Sequence, residues 1–195
     1  MPQREVTVGV DRLERWLAGF TERHGETQRT TAPEVVALVA ADGAKAWIDV
    51  PFPPLPGDTG DLVEHARRKR RIGVLLVRRG GYAAGVFDGA ELVASKVGSS
   101  YVQGTTKAGG WSQQRYARRR ANQASAAFAD AADAAARVLT GQRLDALVAG
   151  GDREAVKAVL ADRRLAGLEP TGPWLTVKDP KLRILAATPE QFRTV

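Results

Sequence analysis

The sequence predicts a mixed α/β (α+β) domain, preceded by a small N-terminal α/β region. Three short apolar runs, residues 72–77, 82–87 and 91–97, are separated by RRGG and DGA, which favour tight turns and indicate an antiparallel meander. After a long loop, small apolar residues recur at three- and four-residue spacing, which predicts a long helix packed on the sheet. Because another strand and helix follow, the sheet is expected to be mixed.

The N-terminal region is expected to open with a strand and a helix. Alternation of apolar residues over 6–10 predicts the strand. Asp11 is a candidate cap for a helix that continues to about His24 and presents apolar side chains on one face. These side chains are Leu13, Trp16, Leu17 and Phe20.

A further helix, a further strand and a proline-rich segment complete this region. The proline that begins residues 33–40 is expected to open a short helix, and residues 46–50 predict a strand. The segment 51–57, PFPPLPG, contains four prolines, which exclude a helix interior and a central strand. We interpret it as a domain boundary or extended connector, so that residues 1–57 form an accessory region and residues 58–195 the main domain.

The main domain is expected to begin with a helix over 61–71 and to pass through the meander into a long aperiodic loop. This loop, residues 98–112, is rich in glycine and threonine. Because long loops without periodicity in compact domains are usually functional or disordered, we interpret it as the active loop. Ser112 is a candidate N-cap for the long helix, which would put Gln113 and Gln114 in the first turn.

The rest of the domain is predicted from shorter patterns. Residues 144–151 predict a buried strand that ends in a glycine turn, and Asp152 is a candidate cap for the next helix. Residues 174–179 and 182–187 are expected to form short closing strands. The apolar seam of the long helix consists of Ala117, Ala121, Ala124, Phe128, Ala131, Ala135 and Val138.

Positive charge is concentrated around the long loop and the start of its helix. The chain has 29 Lys and Arg against 22 Asp and Glu, a net charge of +7 with a pI near 10.1. Residues 92–129 contain no acidic side chain, and residues 67–71 add a second basic cluster. Clustered arginine without acid is typical of surfaces that bind a phosphate backbone, although a solvated helix face is the alternative. The basic residues of the first stretch are Lys96, Lys107, Arg115, Arg118, Arg119 and Arg120.

Composition excludes several kinds of site. The chain contains no cysteine and two histidines, which removes disulfides, thiolate metal sites and cysteine nucleophiles. His24 and His65 are expected to be surface or capping residues, and we expect neither a metal nor a cofactor. No apolar run is long enough to span a membrane and the N-terminus lacks signal-peptide features, so a soluble, cytoplasmic protein is expected.

The order of these elements resembles the middle domain of the eukaryotic and archaeal peptide chain release factors. The resemblance covers the meander, the glycine-containing loop, the basic helix, the segment LVAGGDREAVKAVL and the closing elements. The loop sequence TTKAGGWSQQR is closer to a bacterial branch of the same superfamily, the release-factor-like peptidyl-tRNA hydrolases of ribosome quality control. This resemblance implies a middle-domain-like, RNase H-like arrangement around a catalytic loop.

The resemblance also implies a catalytic glutamine. In the hydrolase branch, a glutamine lies three residues after a glycine, with a small residue before it, and Gly110, Ser112 and Gln113 match this pattern here. An ungapped comparison with the Gly-Gly-Gln motif of true release factors instead puts Trp111 at the glutamine position. Because Gln114 is adjacent and chemically equivalent, either glutamine is a candidate.

Chemistry independent of the family limits what such a glutamine could do. An amide does not titrate near neutral pH, so Gln113 can orient a water and hydrogen-bond the transition state but cannot act as a general base. This suffices for an activated bond such as the ester between a peptide and the tRNA terminal ribose. Gly109 and Gly110 would let the backbone approach that ester. Trp111 would stack on a terminal base or anchor the loop on the domain core.

The expected partners are the large ribosomal subunit, its rRNA and peptidyl-tRNA, with neither DNA nor a membrane involved. Phosphates would be held by Lys107, Arg115, Arg118, Arg119 and Arg120. The expected activity is therefore peptidyl-tRNA hydrolysis that rescues stalled large subunits. Two alternatives remain open: a non-catalytic ribosome- or RNA-binding module, and a nuclease that cuts tRNA near its acceptor end.

Overall fold

The computed structural model describes residues 4–57, 60–78, 81–99 and 112–195, and for residues 112–124 it describes the backbone alone. The chain forms two compact units, one of Met1–Lys69 with Pro189–Val195 and one of Arg70–Thr188. A 3₁₀ turn covers Arg163–Leu165. The other elements are α1 (Val10–His24), β1 (Thr27–Thr31), β2 (Val35–Ala40), β3 (Lys45–Asp49), α2 (Leu62–Arg67), β4 (Arg71–Arg78), β5 (Gly81–Asp88), β6 (Glu91–Gly98), α3 (Ser112–Leu139), β7 (Ala146–Gly151), α4 (Arg153–Leu160), α5 (Leu182–Ala186) and α6 (Pro189–Phe192).

In the first unit, α1 has the predicted apolar face. Leu13 and Phe20 are buried, and Trp16 and Leu17 pack against the same core. The N-cap is Gly9, so Asp11 lies in the first turn instead of capping the helix. The strand predicted over residues 6–10 is wrong, because this segment contributes an isolated bridge between Gly9 and Thr194 and its last residue, Val10, begins α1.

The helix predicted over residues 33–40 is also wrong, because these residues contain strand β2. Three β-branched valines favour an extended backbone, and burial alternates along the strand, with Val36 and Leu38 buried and Val39 exposed. β2 lies between β1 and β3 in an antiparallel sheet. The strand predicted over residues 46–50 is confirmed as β3, whereas the polar strand β1 was not predicted.

The boundary between the units lies at Lys69 and not at residue 57. Leu55 and Leu62 are buried in the core of the first unit, so both the proline-rich segment and α2 contribute to that core. Asp61 caps α2. Its Oδ1 accepts hydrogen bonds from the backbone N–H groups of Val63, at 2.8 Å, and Glu64, at 3.2 Å. The helix ends at Arg67, earlier than predicted.

One histidine of the first unit is buried, contrary to expectation. His65 has 4% of its surface exposed, and its Nε2 lies 2.9 Å from the carbonyl oxygen of Pro51. The other histidine, His24, is partly exposed and its Nδ1 lies 2.8 Å from Asp42 Oδ2. The buried histidine therefore joins α2 to the start of the proline-rich segment.

The second unit contains the predicted meander and confirms the mixed α+β class. β4, β5 and β6 pair in antiparallel order, and β7 adds to β4 in parallel, giving the order β6-β5-β4-β7. The parallel pair requires a crossover, which includes α3. Residues 72–77 of β4 are all buried because this strand is central and both faces of the sheet are covered.

Helices α3 and α4 cover one face of the sheet, and the C-terminal part of the unit covers the other. On the first face, Val77 and Val86 share a core with Ala135 and Val156. On the second, a Cβ at Gly85 would lie 3.0 Å from the Leu185 side chain, so glycine permits close packing of α5.

The two closing strands predicted from the sequence are wrong. Residues 182–187 contain helix α5, since leucine, arginine and alanine favour helix and only Ile184 is β-branched. Residues 174–179 contribute one isolated bridge, between Gly150 and Leu175. The predicted strand over residues 144–151 is confirmed as β7.

Candidate functional site

The long helix that follows the active loop begins at Ser112. Gln113 and Gln114 are therefore in its first turn, as predicted, and Ser112 is the first helical residue and not the residue before the helix. Arg115, Arg118, Arg119 and Arg120 follow in the first turns of the helical backbone. The remaining predicted site residues, Lys107, Gly109, Gly110 and Trp111, lie outside the described residues.

Only the C-terminal part of α3 is buried among its described side chains. Ser125 and Ala126 are exposed, whereas Ala131 has 1% of its surface exposed. From Phe128 onward the predicted seam is confirmed, because its members pack in the core. At a rise of 1.5 Å per residue, Ser112 lies about 28 Å along the helix axis from Ala131.

The direction of α3 follows from its neighbours on the sheet. Tyr82, at the start of β5, is paired with Gly98, where β6 ends and the active loop begins. A Cβ at Gly98 would collide with the Tyr82 ring, so glycine is required for this contact. Burial raises the pKa of Tyr82, and the carboxylates of Asp130 and Asp133 on α3 raise it further.

Leu139 lies at the opposite end of the sheet. A Cβ at Gly73, near the start of β4, would lie 3.2 Å from Leu139. Since Asp130 lies near the end of β6 and Leu139 near the start of β4, α3 enters over the sheet edge at which β4, β6 and β7 end. We call this the carboxyl edge. Among the described side chains of α3, the first that packs in the core of the second unit is Phe128.

A salt-bridge network holds α3 against the 3₁₀ turn. Arg164 Nη1 lies 2.6 Å from Asp133 Oδ1 on α3, and its Nη2 lies 2.8 Å from Asp162 Oδ2. Hydrogen bonds from the Arg164 side chain and backbone lower the pKa of Asp162 to about 2, and the two carboxylates raise the pKa of Arg164. The network connects the packed part of α3 to the 3₁₀ turn.

The carboxyl edge also carries basic side chains that the sequence pattern did not single out. Arg78, at the end of β4, donates a hydrogen bond from Nη1 to the Val177 carbonyl at 2.9 Å. Arg153, at the start of α4, lies with its guanidinium carbon 4.4 Å from the centroid of the Trp174 ring. No spacing rule connects Arg153 with a tryptophan so far along the chain, so this pair could not have been found in the sequence.

The turn that follows β7 is built as predicted. Asp152 caps α4, and its Oδ1 accepts hydrogen bonds from Glu154 N at 3.0 Å and Ala155 N at 3.2 Å. Gly151 has a φ of 96°, a conformation that favours glycine. This turn fixes Arg153 at the first position of α4, beside Trp174.

The two units differ in net charge. Arg70–Thr188 contains 19 Lys and Arg against 10 Asp and Glu, a net charge of +9. The first unit contains 10 basic against 12 acidic residues, a net charge of −2. The whole positive excess of the chain therefore belongs to the unit that contains α3.

The described part of the chain lacks two kinds of feature. No described helix combines the length and hydrophobicity needed to cross a bilayer. Within the same ranges, no three acidic or imidazole side chains cluster in a way that could hold a metal ion.

Comparisons with known proteins identify a family. No curated protein matches the chain. Among solved structures, the archaeal translation termination factor aRF1 is similar with a TM-score of 0.44 and 13% identity, over 94% of this chain and 71% of that chain. A structure described as an archaeal protein is similar with a TM-score of 0.39 and 13% identity, over 97% and 74%. A family model, acVLRF1, matches residues 70–195, and the chain thus belongs to the family described as the Actinobacteria/chloroflexi VLRF1 release factors, whose function is in translation.

Proposed function

We propose that this protein hydrolyses peptidyl-tRNA on the large ribosomal subunit and thereby frees stalled subunits. The observation that best supports the proposal is the placement of Gln113 and Gln114 in the first turn of α3. Both lie about 21 Å or more along the helix axis from Phe128, the first described side chain of α3 that packs in the core. A helix anchored at one end can carry an amide into a narrow cavity while the rest of the domain stays outside.

The amide side chain would act by positioning. In the proposed reaction, a water oxygen attacks the ester carbonyl carbon, the bond to the ribose oxygen breaks, and that oxygen receives a proton through the vicinal hydroxyl. Gln113 or Gln114 would accept a hydrogen bond from the attacking water or donate one to the developing oxyanion. The ester is reactive enough for such help to suffice.

The two glycines before the helix would allow the loop backbone to come close to the ester. Without a Cβ, Gly109 and Gly110 can adopt backbone conformations that are closed to other residues. The start of α3 would add a favourable field for the developing negative charge, because the first N–H groups of a helix have no partner within it. Ser112 is small enough not to obstruct this approach.

Positive charge would hold the enzyme on RNA. Arg115, Arg118, Arg119 and Arg120, with Lys107, would contact phosphates of rRNA or tRNA without reading sequence. The net charge of +9 on the second unit supports this role. Arg153 stacked on Trp174 would add a further phosphate contact at the carboxyl edge. The family description as release factors supports the ribosome as the place of action, and hence a cytoplasmic location.

The test is hydrolysis of a defined peptidyl-tRNA on purified large ribosomal subunits, with both the peptide and the tRNA end followed. We expect release of the peptide with an intact tRNA end. Removal of one transition-state hydrogen bond typically lowers a rate by about 10²–10³, so Gln113→Ala or Gln114→Ala should do so. Gln142→Ala, at an exposed glutamine after α3, is the matched control.

Three results would contradict the proposal in different ways. Full activity in both Gln113→Ala and Gln114→Ala would remove the glutamine mechanism. A shortened tRNA would indicate phosphodiester cleavage and favour the nuclease alternative. Ribosome binding without release of the peptide would make the chain an RNA-binding module.

A further inference from the structure

Strand β3 is an edge of the sheet in the first unit. The sheet order is β1-β2-β3, so β3 has a partner on one side. Among the described residues, no strand pairs with its other side. An open edge presents unpaired backbone groups and can accept another strand.

The hydrogen-bond pattern identifies which backbone groups face this open edge. Ala40 N donates to Ala44 O at 2.9 Å, and Val50 N donates to Glu34 O at 2.9 Å. In an antiparallel pair, hydrogen-bonded and non-hydrogen-bonded positions alternate, so the even-numbered residues of β3 bond to β2. The N–H and C=O groups of Lys45, Trp47 and Asp49 therefore point outward.

The same three residues carry their side chains on the solvent face of the sheet. Ile48 is buried, and side chains alternate along a strand, so Lys45, Trp47 and Asp49 lie on the opposite face. Trp47 has 62% of its surface exposed. The neighbouring Val39 on β2, paired with Lys45, is 42% exposed and extends the apolar surface.

The order of charges along β3 is self-complementary. A two-fold axis at Trp47 would pair β3 with the same strand of a second copy, antiparallel and in register. Trp47 would then face its own equivalent, and each Lys45 would lie opposite the Asp49 of the second copy. Opposite charges in directly opposed positions attract, and an aromatic pair adds contact area.

We propose that β3 is a self-association edge, at which two copies of this chain join their sheets into one of six strands. A partner strand that is basic, uncharged or acidic throughout would place an opposite charge beside Lys45 or Asp49 but not beside both. A second copy places an opposite charge beside each of them. RNA is a poor occupant, because the unit carries a net charge of −2. With five residues per strand, the contact is small, so association should be weak and depend on concentration.

Sedimentation equilibrium of the full chain tests this proposal, at protein concentrations up to about 1 mM. In the Lys45→Asp variant, two acidic side chains would lie opposite each other at each end of the pairing. In the Asp49→Lys variant, two lysines would lie opposite each other there. Each variant alone is expected to weaken association about tenfold or more relative to wild type. Lys157→Asp, on the exposed side of α4, is the matched charge reversal away from the edge and should have no effect.

Mixing the two variants provides the decisive measurement. A copy with Lys45→Asp is complementary to a copy with Asp49→Lys at both ends, so an equal mixture should associate as strongly as wild type. The double variant Lys45→Asp/Asp49→Lys should also recover association. Circular dichroism would confirm that each variant is folded. A wild-type chain that stays monomeric throughout, or a mixture that does not recover, would overturn the proposal.

Discussion

The two units of this chain differ in charge and in how their sheets are covered. The second unit has a net charge of +9 and a four-stranded sheet with packing on both faces. The first has a net charge of −2 and a three-stranded sheet whose solvent face exposes Trp47. The family match begins at residue 70, at the boundary between the units. Under the proposed function, binding to ribosomal RNA should therefore depend on the second unit and not on the first.

The largest expected effect is on ribosome binding, and it tests the difference in net charge between the two units. Replacing Arg115, Arg118, Arg119 and Arg120 by alanine should weaken ribosome binding roughly 100- to 1,000-fold at about 0.1 M salt and lower the salt slope by about 3, since each phosphate contact releases a counterion. The measurement is binding to large subunits across a salt series.

The matched control removes the same kind of charge from the first unit. Replacing the exposed arginines of α1, Arg12, Arg15 and Arg23, by alanine should leave the salt slope unchanged. A loss of slope in this variant equal to that in the α3 variant would contradict the division of roles between the units.

The cores allow a second comparison. Leu75→Ala in the second unit and Leu13→Ala in the first each empty a fully buried site, and each should lower the free energy of unfolding by about 2–5 kcal/mol. Hydrogen exchange should locate the loss in the unit that carries the change. Equal loss of protection in both units from either variant would show that they unfold as one.

The helix caps give a matched pair of smaller effects. Asp61→Ala removes the cap of α2 in the first unit, and Asp152→Ala removes the cap of α4 in the second. Each should cost about 1 kcal/mol of unfolding free energy, because two backbone N–H groups lose their acceptor. Chemical denaturation measures both. A negligible cost at Asp152 would mean that water replaces the carboxylate there.

The smallest expected effect is a loss of folding stability at acidic pH. Hydrogen bonds lower the pKa of Asp42 in the first unit, through the Ala44 N–H and His24, and the pKa of Asp162 in the second to about 2. A lowered folded pKa means that the unfolded chain binds protons first. The stabilisation is therefore present above about pH 4 and is lost as pH falls toward 2.

Substitution by asparagine tests this acid dependence. Asp162→Asn should flatten the fall in melting temperature between about pH 4 and 2, because its side chain no longer titrates. Asp42→Asn should flatten it through the first unit instead. A wild-type and an Asp162→Asn chain with the same acid profile would show that the Arg164 network contributes no net stability.

Local sequence predicted the second unit better than the first. The meander was found because its turns and apolar runs are contiguous, and the α3 seam was found from Phe128 onward because its spacing is regular. The helix expected over residues 33–40 was wrong, because the pairing with β1 and β3 decides that segment. β1 consists of Thr, Gln and Arg and gives no apolar signal. Leu55 lies within the proline-rich segment, yet it is buried in the first core and donates a hydrogen bond to Pro33 O.

The residues of the candidate site also differ in whether the local sequence points to them. The proposal of Gln113 and Gln114 rests on a loop pattern and a helix start, both of which are local. The stacking of Arg153 on Trp174 depends on the parallel pairing of β7 with β4 and on the path of the segment after the 3₁₀ turn. Such contacts between distant parts of the chain have no signature in spacing.

The bridge between Gly9 and Thr194 has a consequence for biosynthesis. Val8 and Val195 exchange two backbone hydrogen bonds, of 2.9 and 3.0 Å, and Phe192 is buried in the same unit. Translation produces the whole of Arg70–Thr188 before these last pieces of the first unit exist. Domains usually fold in the order of synthesis, but residues 1–69 can complete their unit only after residues 189–195 have been made.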